Sequence, residues 1–359
     1  MQLFEMREFD AHERIVYGAD EASGLRAVIG IHSTALGPAT GGCRMLPYAS
    51  TYAATVDVLR LSRGASYQNA MAGLPLGGGK AVIIGDSRKD KTPQLFQAFG
   101  DLVDSLNGEF ITRKDVGTTA SDMRHVARNT RHVSALNNFD TALSTATGVH
   151  LGIVTAAKFQ LGRSDLEGLT VAVQGLGAVG YHLCRLLSAD GAVLRVADTQ
   201  QAAAERVRDE FNAIIVPVAT VLFEDVEVVA PCAMGAVLHN LSIPRIKAGI
   251  VAGAANNQLA DEREGLSLHE AEILFAPDYV INAGGAISIA REFFGSSAPF
   301  LDSADDDILA ISERLLEIFE RSRSENLPTN AIADRMARSK LKAARASTSA
   351  TSKLAAHDQ

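Results

Sequence analysis

The apolar positions of this chain recur with two periods, one typical of strands and the other of helices. Short runs rich in β-branched residues at 25–32 and 80–85 predict strands. Between them, Val56 and Leu59 fall on one face of a predicted helix. The segment 92–107 repeats apolar residues at helical spacing and starts with Thr-Pro, which suits an N-cap and a first turn. The first third of the chain therefore predicts an α/β unit.

From residue 170 onward, short apolar segments alternate with helical ones. The predicted strands are VAVQG, VLRVAD, NAIIVP, VEVVAPC, GIVAG and YVINAGG. This alternation predicts a parallel, doubly wound sheet with helices on both faces. An amphipathic helix follows, with an apolar face made of Ile308, Ile311, Leu315, Ile318 and Phe319. A second helical stretch is predicted for residues 330–345.

Composition narrows the classes of function. The formal net charge is -8 and the pI is near 5.6, so the chain has no broad positive field for nucleic acid, and a small-molecule partner fits better. The three cysteines, Cys43, Cys184 and Cys232, lie far apart and indicate neither a disulfide framework nor a metal site. Neither a signal peptide nor a long uncharged apolar run is visible, so a cytoplasmic protein without membrane contact is expected.

Residues 170–198 carry a dinucleotide-binding pattern. A strand is followed by Gly175, Gly177 and Gly180 in GxGxxG spacing, a helix and a second strand. The first glycine permits a tight turn, the second lets a pyrophosphate approach the backbone, and the third lets the helix pack closely. A lone GxGxxG is often only a turn, but here every flanking element is in place.

Within residues 170–198, the start of the helix and the end of the second strand predict which dinucleotide binds. Ala178 and Val179 begin the helix, whose unpaired N–H groups would face the pyrophosphate. Asp198 ends the second strand and would accept hydrogen bonds from the adenosine ribose. Because its carboxylate would repel a 2′-phosphate, the predicted cofactor is NAD rather than NADP. Arg195 would weaken that preference if it turned inward, and otherwise it is a solvent-facing strand residue.

A second motif places three glycines, Gly77–Gly79, directly before Lys80. Glycines let a ligand reach the backbone, and a desolvated lysine has a lowered pKa that suits acid–base work. Taken alone, such a lysine is more often a surface charge.

The chain resembles the leucine, phenylalanine and valine dehydrogenases of the glutamate dehydrogenase superfamily from about residue 10 to residue 340. The motifs that carry the resemblance are TALGPATGGCRM (34–45), GLPLGGGKAVI (73–83), KDVGTT (114–119), TATGV (145–149), VQGLGAVG (173–180), APCAMGAVL (230–238), AGAANNQL (252–259) and APDYVINAGG (276–285). The resemblance implies reversible oxidative deamination of an L-amino acid to a 2-oxo acid and ammonia, with hydride transfer to NAD. It implies that Lys80 activates water, that Asp115 shuttles protons, and that Gly41 and Gly42 line the substrate site.

The resemblance also implies the domain plan and the cofactor contacts. An N-terminal α/β catalytic and oligomerisation domain covers 1–140, and a Rossmann-type NAD-binding domain covers 141–328, with a cleft between them. A C-terminal helix at 329–345 returns to the first domain, a disordered tail is expected at 346–359, and a homo-oligomer is expected. The implied contacts are Thr145 with the nicotinamide amide, Asn257 with substrate and nicotinamide, and Cys232, Ala233 and Ala254 along the cofactor cleft.

Three positions depart from the family pattern. Gln68 stands where the family has a lysine that anchors the substrate α-carboxylate, so the charge-assisted part of that contact is lost. Thr40 replaces a leucine, and Arg113 replaces a small residue. Arg113 can supply the missing charge, select a polar or acidic substrate group, or point to solvent. Ala286 and Ile289 are expected to form the apolar part of the pocket.

Three functions are compatible with these departures. The first is an amino-acid dehydrogenase with an altered substrate range. The second is a related dehydrogenase acting on an amine or carbonyl compound without the α-carboxylate, because position 68 is neutral. The third is a catalytically weak NAD-binding protein, against which the presence of both Lys80 and Asp115 speaks.

Overall fold

A computed structural model describes residues 2–134, 141–295 and 304–355, with side chains from 306 to 347 in the last range. The chain separates into two compact units. One comprises Met1–Phe139, Glu292–Gly295 and Ala337–Gln359, and the other comprises Asp140–Arg291 and Ser296–Met336.

The first unit is built on a five-stranded mixed sheet with strand order β1-β2-β4-β3-β5. Its strands are β1 (Arg14–Asp20), β2 (Leu25–Ser33), β3 (Ala39–Leu46), β4 (Gly77–Ile84) and β5 (Phe110–Lys114), and its helices are α1 (Thr51–Ala72), α2 (Pro93–Asp104) and α3 (Ala120–Val126). β2 pairs antiparallel with β1 and β4, whereas β3 runs parallel to both β4 and β5. The predicted strands at 25–32 and 80–85 are present as β2 and β4, and β4 begins at Gly77.

Helices cover this sheet on both faces. On one face, α1 packs so closely that a Cβ at Gly30 would lie 2.5 Å from Val58 Cγ1. On the other face, Phe96 and Phe99 of α2 join an apolar core that includes Ile29 and Phe110 of the sheet. The predicted N-cap of α2 is confirmed, because the Thr92 hydroxyl accepts a hydrogen bond from Leu95 N at 3.1 Å.

The second unit contains a six-stranded parallel sheet with strand order β11-β10-β9-β6-β7-β8. Its strands are β6 (Thr170–Gln174), β7 (Val193–Ala197), β8 (Ile214–Ile215), β9 (Val228–Pro231), β10 (Ile250–Val251) and β11 (Leu274–Phe275). The later helices of the chain are α4 (Ala142–Leu161), α5 (Ala178–Ala189), α6 (Gln201–Phe211), α7 (Glu264–Glu270), α8 (Asp278–Ile281), α9 (Gly284–Phe294), α10 (Ala304–Glu325) and α11 (Thr329–Ala355). The predicted doubly wound sheet is confirmed, and the strand order reverses between β6 and β9.

Two predictions were wrong in this part of the chain. The segment YVINAGG is not a strand, because α8 occupies it; the neighbouring sheet strand is β11, which lies before Pro277. Periodicity alone does not separate a short apolar strand from a short buried helix. The tail predicted from residue 346 is helical as far as Ala355, since α11 contains neither glycine nor proline to stop it; residues 356–359 lie outside the described part.

The helix predicted around residues 308–319 is confirmed as α10, with Ile311, Leu315, Ile318 and Phe319 fully buried. Across the described residues, no helix is both long and apolar enough to cross a membrane.

Candidate active site

A lysine and a carboxylate meet in the first unit. Lys80, on β4, is only 7% exposed, and its Nζ donates a hydrogen bond to Oδ2 of Asp115, which directly follows β5. The backbone N–H of Val116 donates to the other oxygen, Oδ1, at 2.6 Å. The sequence-predicted catalytic residues therefore form one ion pair, although 35 positions separate them in the chain.

Strand register places Gly42 and Arg113 beside this pair. Gly42 pairs with Arg113 across β3 and β5. Thr40 pairs with Gly78 across β3 and β4, which sets Gly42 opposite Lys80. Residues in one row of a parallel sheet point to the same face, so the side chains of Lys80 and Arg113 flank a position without a side chain. A Cβ on Gly42 would lie 2.5 Å from Asp115 Oδ2, so the carboxylate occupies that space.

An arginine that the sequence analysis missed completes the surroundings of Asp115. Arg44 Nε donates to Asp115 Oδ1 at 3.2 Å, and its Nη1 lies 3.3 Å from Asp57 Oδ2. The hydroxyl of Tyr48 donates to the same Asp57 oxygen at 2.6 Å. Arg44 lies two residues after Gly42 on the same strand, hence on the same face, so strand alternation was the signal that could have found it.

Burial and charge act in opposite directions on these groups. Burial lowers the pKa of Lys80, and the negative charge of Asp115 partly offsets this. Burial raises the pKa of Asp115, but the charges of Lys80 and Arg44 outweigh it and hold that pKa well below the usual range. Burial likewise lowers the pKa of Arg113, and the charge of Asp115 partly offsets this. The charge of Arg113 in turn lowers the pKa of Lys80. Asp115 therefore stays ionised, and Lys80 loses its proton more easily than a surface lysine.

The other predicted substrate residues of this unit lie on β3 and α1. Asn69 Nδ2 donates to Gly77 O at 2.7 Å and to Thr40 Oγ1 at 3.4 Å, which fixes the end of α1 over the strands. Gln68 is half-buried on the same helix. A Cβ on Gly41 would lie 1.8 Å from the backbone oxygen of Gly79, whereas a Cβ on Gly42 would meet the side chain of Asp115. Gly41 is therefore required by the packing of the sheet itself.

The glycine turn of the second unit adopts the expected shape. Gly175 has φ +92°, which a residue with a side chain rarely adopts, and its Cβ would lie 2.7 Å from that of Ala233. A Cβ on Gly180 would lie 2.0 Å from Gly175 O, so the start of α5 packs directly on the turn. At Gly177 an added Cβ meets no described heavy atom within 4 Å. The turn is thus closed against the protein at two glycines and open at the third.

The residues around this turn leave room for an anion. α5 begins at Ala178 and Val179 without a hydrogen bond from a capping side chain in the described chain. Asp198 Oδ2 accepts a hydrogen bond from Leu176 N at 2.7 Å. Arg195 is held by Glu224, with 2.7 Å between Nη1 and Oε2.

The loops after β9 and β10 adjoin the same end of the sheet. Cys232 N donates to Gln174 O at 2.7 Å, and burial raises the pKa of the Cys232 thiol to about 12, opposed by a hydrogen bond from the Ala254 backbone. Asn257 has φ +52°, and its carbonyl oxygen accepts from Ala236 N at 2.7 Å. Asp278, which the sequence analysis also missed, accepts hydrogen bonds from the Asn257 and Gln258 backbones.

Three further predicted residues lie on α4 and α9 of the second unit. Thr145 Oγ1 donates to Thr141 O at 2.9 Å, and a Cβ on Gly285 would come within 2.6 Å of that hydroxyl. Ala286 and Ile289 follow on α9 and are buried, with 9% and 8% exposure. The predicted substrate residues are therefore divided between the units. The first carries Thr40, Gly41, Gly42, Gln68 and Arg113, and the second carries Asn257, Ala286 and Ile289.

Two family models match this chain. Residues 7–132 match "Glu/Leu/Phe/Val dehydrogenase, dimerisation domain", and residues 193–326 match "Glutamate/Leucine/Phenylalanine/Valine dehydrogenase". The chain is 44% identical over 354 residues to the leucine dehydrogenase of Bacillus subtilis (strain 168), covering 97% of this chain and 96% of that protein. It is 43% identical over 342 residues to the valine dehydrogenase of Streptomyces virginiae, covering 93% and 95%. Among solved structures, L-tryptophan dehydrogenase from Nostoc punctiforme aligns with a TM-score of 0.78 at 41% identity, covering 93% of this chain and 97% of that one.

Proposed function

The chain belongs to the glutamate/leucine/phenylalanine/valine dehydrogenase family, and on that premise we propose that it catalyses reversible, NAD-dependent oxidative deamination of an L-amino acid. The balanced reaction converts the amino acid, NAD⁺ and water to a 2-oxo acid, ammonium, NADH and a proton. The observation that carries the proposal is the buried ion pair of Lys80 and Asp115. Such a pair can hold two complementary protonation states, as acid–base chemistry at one carbon requires.

Asp115 acts on the amino group in this mechanism. Its carboxylate, kept ionised by Lys80 and Arg44, takes a proton from the substrate ammonium and so makes the nitrogen lone pair available. Hydride then leaves the α-carbon to give an iminium group. When bound, NAD supplies the acceptor for that hydride.

Lys80 acts on water in the same mechanism. Burial lowers its pKa, so the neutral amine can take a proton as water adds to the iminium carbon. Asp115 returns its proton to the nitrogen, and the restored carboxylate takes the hydroxyl proton as the C–N bond breaks, ammonia leaves and the C=O bond forms. The protons then held by Lys80 and Asp115 are released, one to ammonia and one to water. Both groups lie on the same face of the sheet, where the Asp115 carboxylate fills the space that a side chain at Gly42 would occupy.

The second unit fits a dinucleotide with a free 2′-hydroxyl. The uncapped start of α5 and the open space at Gly177 suit a pyrophosphate. The Asp198 carboxylate accepts from Leu176 N and from Gln200 N, and the remaining lone pairs of its two oxygens can accept from a ribose diol. Because Glu224 pairs with Arg195, that cation is engaged rather than free to bind a 2′-phosphate. These observations support NAD as the cofactor in preference to NADP.

Gln68 alters the substrate range in this proposal. An amide donates hydrogen bonds to a carboxylate but supplies no charge, so the contact loses about 1–3 kcal/mol unless another cation replaces it. The same neutral residue favours a second candidate function, dehydrogenation of an amine or carbonyl compound without an α-carboxylate. A catalytically weak NAD-binding protein is disfavoured, because it has no need of a buried Lys80–Asp115 pair.

The test is NADH oxidation in ammonium buffer with paired panels of compounds. One panel contains aliphatic, aromatic and acidic 2-oxo acids, and the other contains the matching ketones and aldehydes without the carboxylate. Turnover of 2-oxo acids supports amino-acid dehydrogenation, whereas turnover of the ketones alone supports amine chemistry. Absence of NADH oxidation with every compound of both panels would refute both enzymatic proposals. Isothermal titration with NAD and NADP tests the cofactor separately.

A homo-oligomer is part of the proposal. Residues 7–132 match a family model described as a dimerisation domain. The strand β1 lies at the edge of the first sheet, and an edge strand offers unpaired backbone groups to a second chain. Light scattering coupled to size-exclusion chromatography should give a mass that is a multiple of the 38.0 kDa chain.

A further inference from the structure

The cations of the candidate acid–base site differ in whether an acid neutralises them. Lys80 pairs with Asp115, and Arg44 pairs with Asp115 and Asp57. Arg113 is half-buried on β5, yet among the described residues its guanidinium has no hydrogen-bond or ion-pair partner. Partly desolvated guanidinium groups are stabilised by an anion, so the absence of a protein acid in this part of the chain points to an external one.

Asp115 is unsuited to be that partner. Its Oδ2 accepts from Lys80, while its Oδ1 accepts from Arg44 and from Val116 N. The strand register nevertheless sets Arg113 in the same row as Lys80, with only Gly42 between them. Arg113 therefore lies beside the reacting groups, where the charge of Asp115 acts on it but no hydrogen bond or ion pair joins it to them among the described residues.

The register of the sheet fixes where Arg113 reaches. Arg113, Gly42 and Lys80 lie in one row on the adjacent strands β5, β3 and β4. Neighbouring strands are about 4.8 Å apart, so the Cα atoms of Arg113 and Lys80 are separated by about 10 Å. The Asp115 carboxylate fills the space over Gly42 between them, so a small molecule lying against that carboxylate has Lys80 on one side and Arg113 on the other.

We propose that Arg113 binds the α-carboxylate of the substrate and is the specificity-determining cation of this site. The inference rests on the proposed amino-acid dehydrogenation, in which Lys80 and Asp115 act at the α-carbon. The α-carboxylate is bonded to that same carbon, so it lies within reach of a cation beside the Lys80–Asp115 pair, and Arg113 is such a cation. A guanidinium presents parallel N–H groups that match both oxygens of a carboxylate. Arg113 thereby supplies the charge that Gln68 lacks.

The kinetic test compares the full chain with R113A, R113K and K114A in the reductive direction. Lys114 is the matched control, because it is the next residue on β5, is exposed and points to the opposite face. In R113A the KM for monocarboxylic 2-oxo acids should rise about 10- to 100-fold, with the KM for NADH unchanged. R113K should recover part of the loss, and K114A should resemble the parent.

A binding test separates failure of this inference from failure of the proposed function. Thermal unfolding is followed with saturating NAD and increasing 4-methylpentanoate, a carboxylate that has no group to oxidise. The expected result is a carboxylate-dependent rise in Tm for the parent and K114A that is absent in R113A. An equal rise in R113A, or none in the parent, would overturn the role of Arg113 even if no 2-oxo acid is turned over. Loss confined to dicarboxylic 2-oxo acids in R113A would overturn the assignment to the α-carboxylate.

Discussion

The carboxylate of Asp115 lies over the α-carbon of Gly42, where a methyl group on residue 42 would come within 2.5 Å of Oδ2 and 2.6 Å of Asp115 Cβ. The Asp115 carboxylate can take this position only because residue 42 has no side chain. This relationship joins β3 to the segment after β5, and Lys80 reaches the same carboxylate from β4.

Replacing a Cα hydrogen of Gly42 with a methyl group is expected to displace Asp115 while leaving the fold intact. Gly42→Ala should lower kcat about 100-fold, since displacement by about 1 Å costs roughly that factor in an aligned site. Gly64→Ala is the matched control, because Gly64 lies on α1 and an added Cβ there meets no described heavy atom within 4 Å. Steady-state kinetics with NADH titration measures kcat and the KM for NADH of both variants. Full activity in Gly42→Ala would contradict the close contact between position 42 and the Asp115 carboxylate.

Removing the lysine should stop the chemistry without disturbing the nucleotide. Lys80→Ala is expected to lower kcat by about 10²–10⁴-fold, the range for a lost general base, because no other amine reaches Asp115 Oδ2 among the described residues. Isothermal titration should show unchanged NAD affinity, since the glycine turn belongs to the second unit. Lys89→Ala, at a side chain that is 79% exposed, should behave as the parent. Near-parental kcat in Lys80→Ala would rule out the proposed mechanism.

The pH dependence of kcat/KM should change when Arg44 is replaced. Its charge is one of those that lower the pKa of Asp115, so Arg44→Gln raises that pKa and moves the acid limb of kcat/KM to higher pH by about one unit or more. The stabilisation that ionised Asp115 contributes is present above the unfolded pKa of about 3.9, and it is lost as pH falls through the folded value. In Arg44→Gln that loss should begin at higher pH.

The control for Arg44 is Arg14→Gln, which removes a half-exposed cation paired with Glu109 at 3.2 Å. A pH–rate profile of both variants distinguishes an effect on Asp115 from a general change in charge. An unshifted acid limb in Arg44→Gln, with reduced kcat only, would show that Arg44 orients the carboxylate without setting its pKa.

Cofactor choice should depend on Asp198. Asp198→Asn keeps one acceptor oxygen for Leu176 N or Gln200 N and removes the charge, so NAD affinity should fall about tenfold and the discrimination against NADP should shrink. Isothermal titration with both nucleotides measures the two effects together. Asp190→Asn, at the end of α5 where the carboxylate pairs with His150, should change neither affinity. An unchanged preference in Asp198→Asn would assign the selection to other residues.

Several features of the fold could be predicted from short stretches of sequence. The turn at Gly175 and Gly180, the N-cap at Thr92 and the apolar face of α10 each depend on residues that are neighbours in the chain. Turn chemistry and helical periodicity act between residues that are close in the chain, so the strand–turn–helix segment of the second sheet could be predicted from the sequence. The segment YVINAGG was misjudged because a few apolar residues satisfy both a strand and a buried helix.

The arrangement of the candidate site depended on contacts that no local pattern encodes. The sheet order β4-β3-β5 differs from chain order, and only this order sets Lys80, Gly42 and Arg113 in one row. The sequence by itself determined the α/β class, the glycine-rich turn before α5 and the presence of a lysine and a carboxylate suited to acid–base chemistry. The tertiary structure alone decided that Arg44 shares Asp115 with Lys80 and that Glu224 holds Arg195, because strand order and ion pairing follow from packing between distant segments.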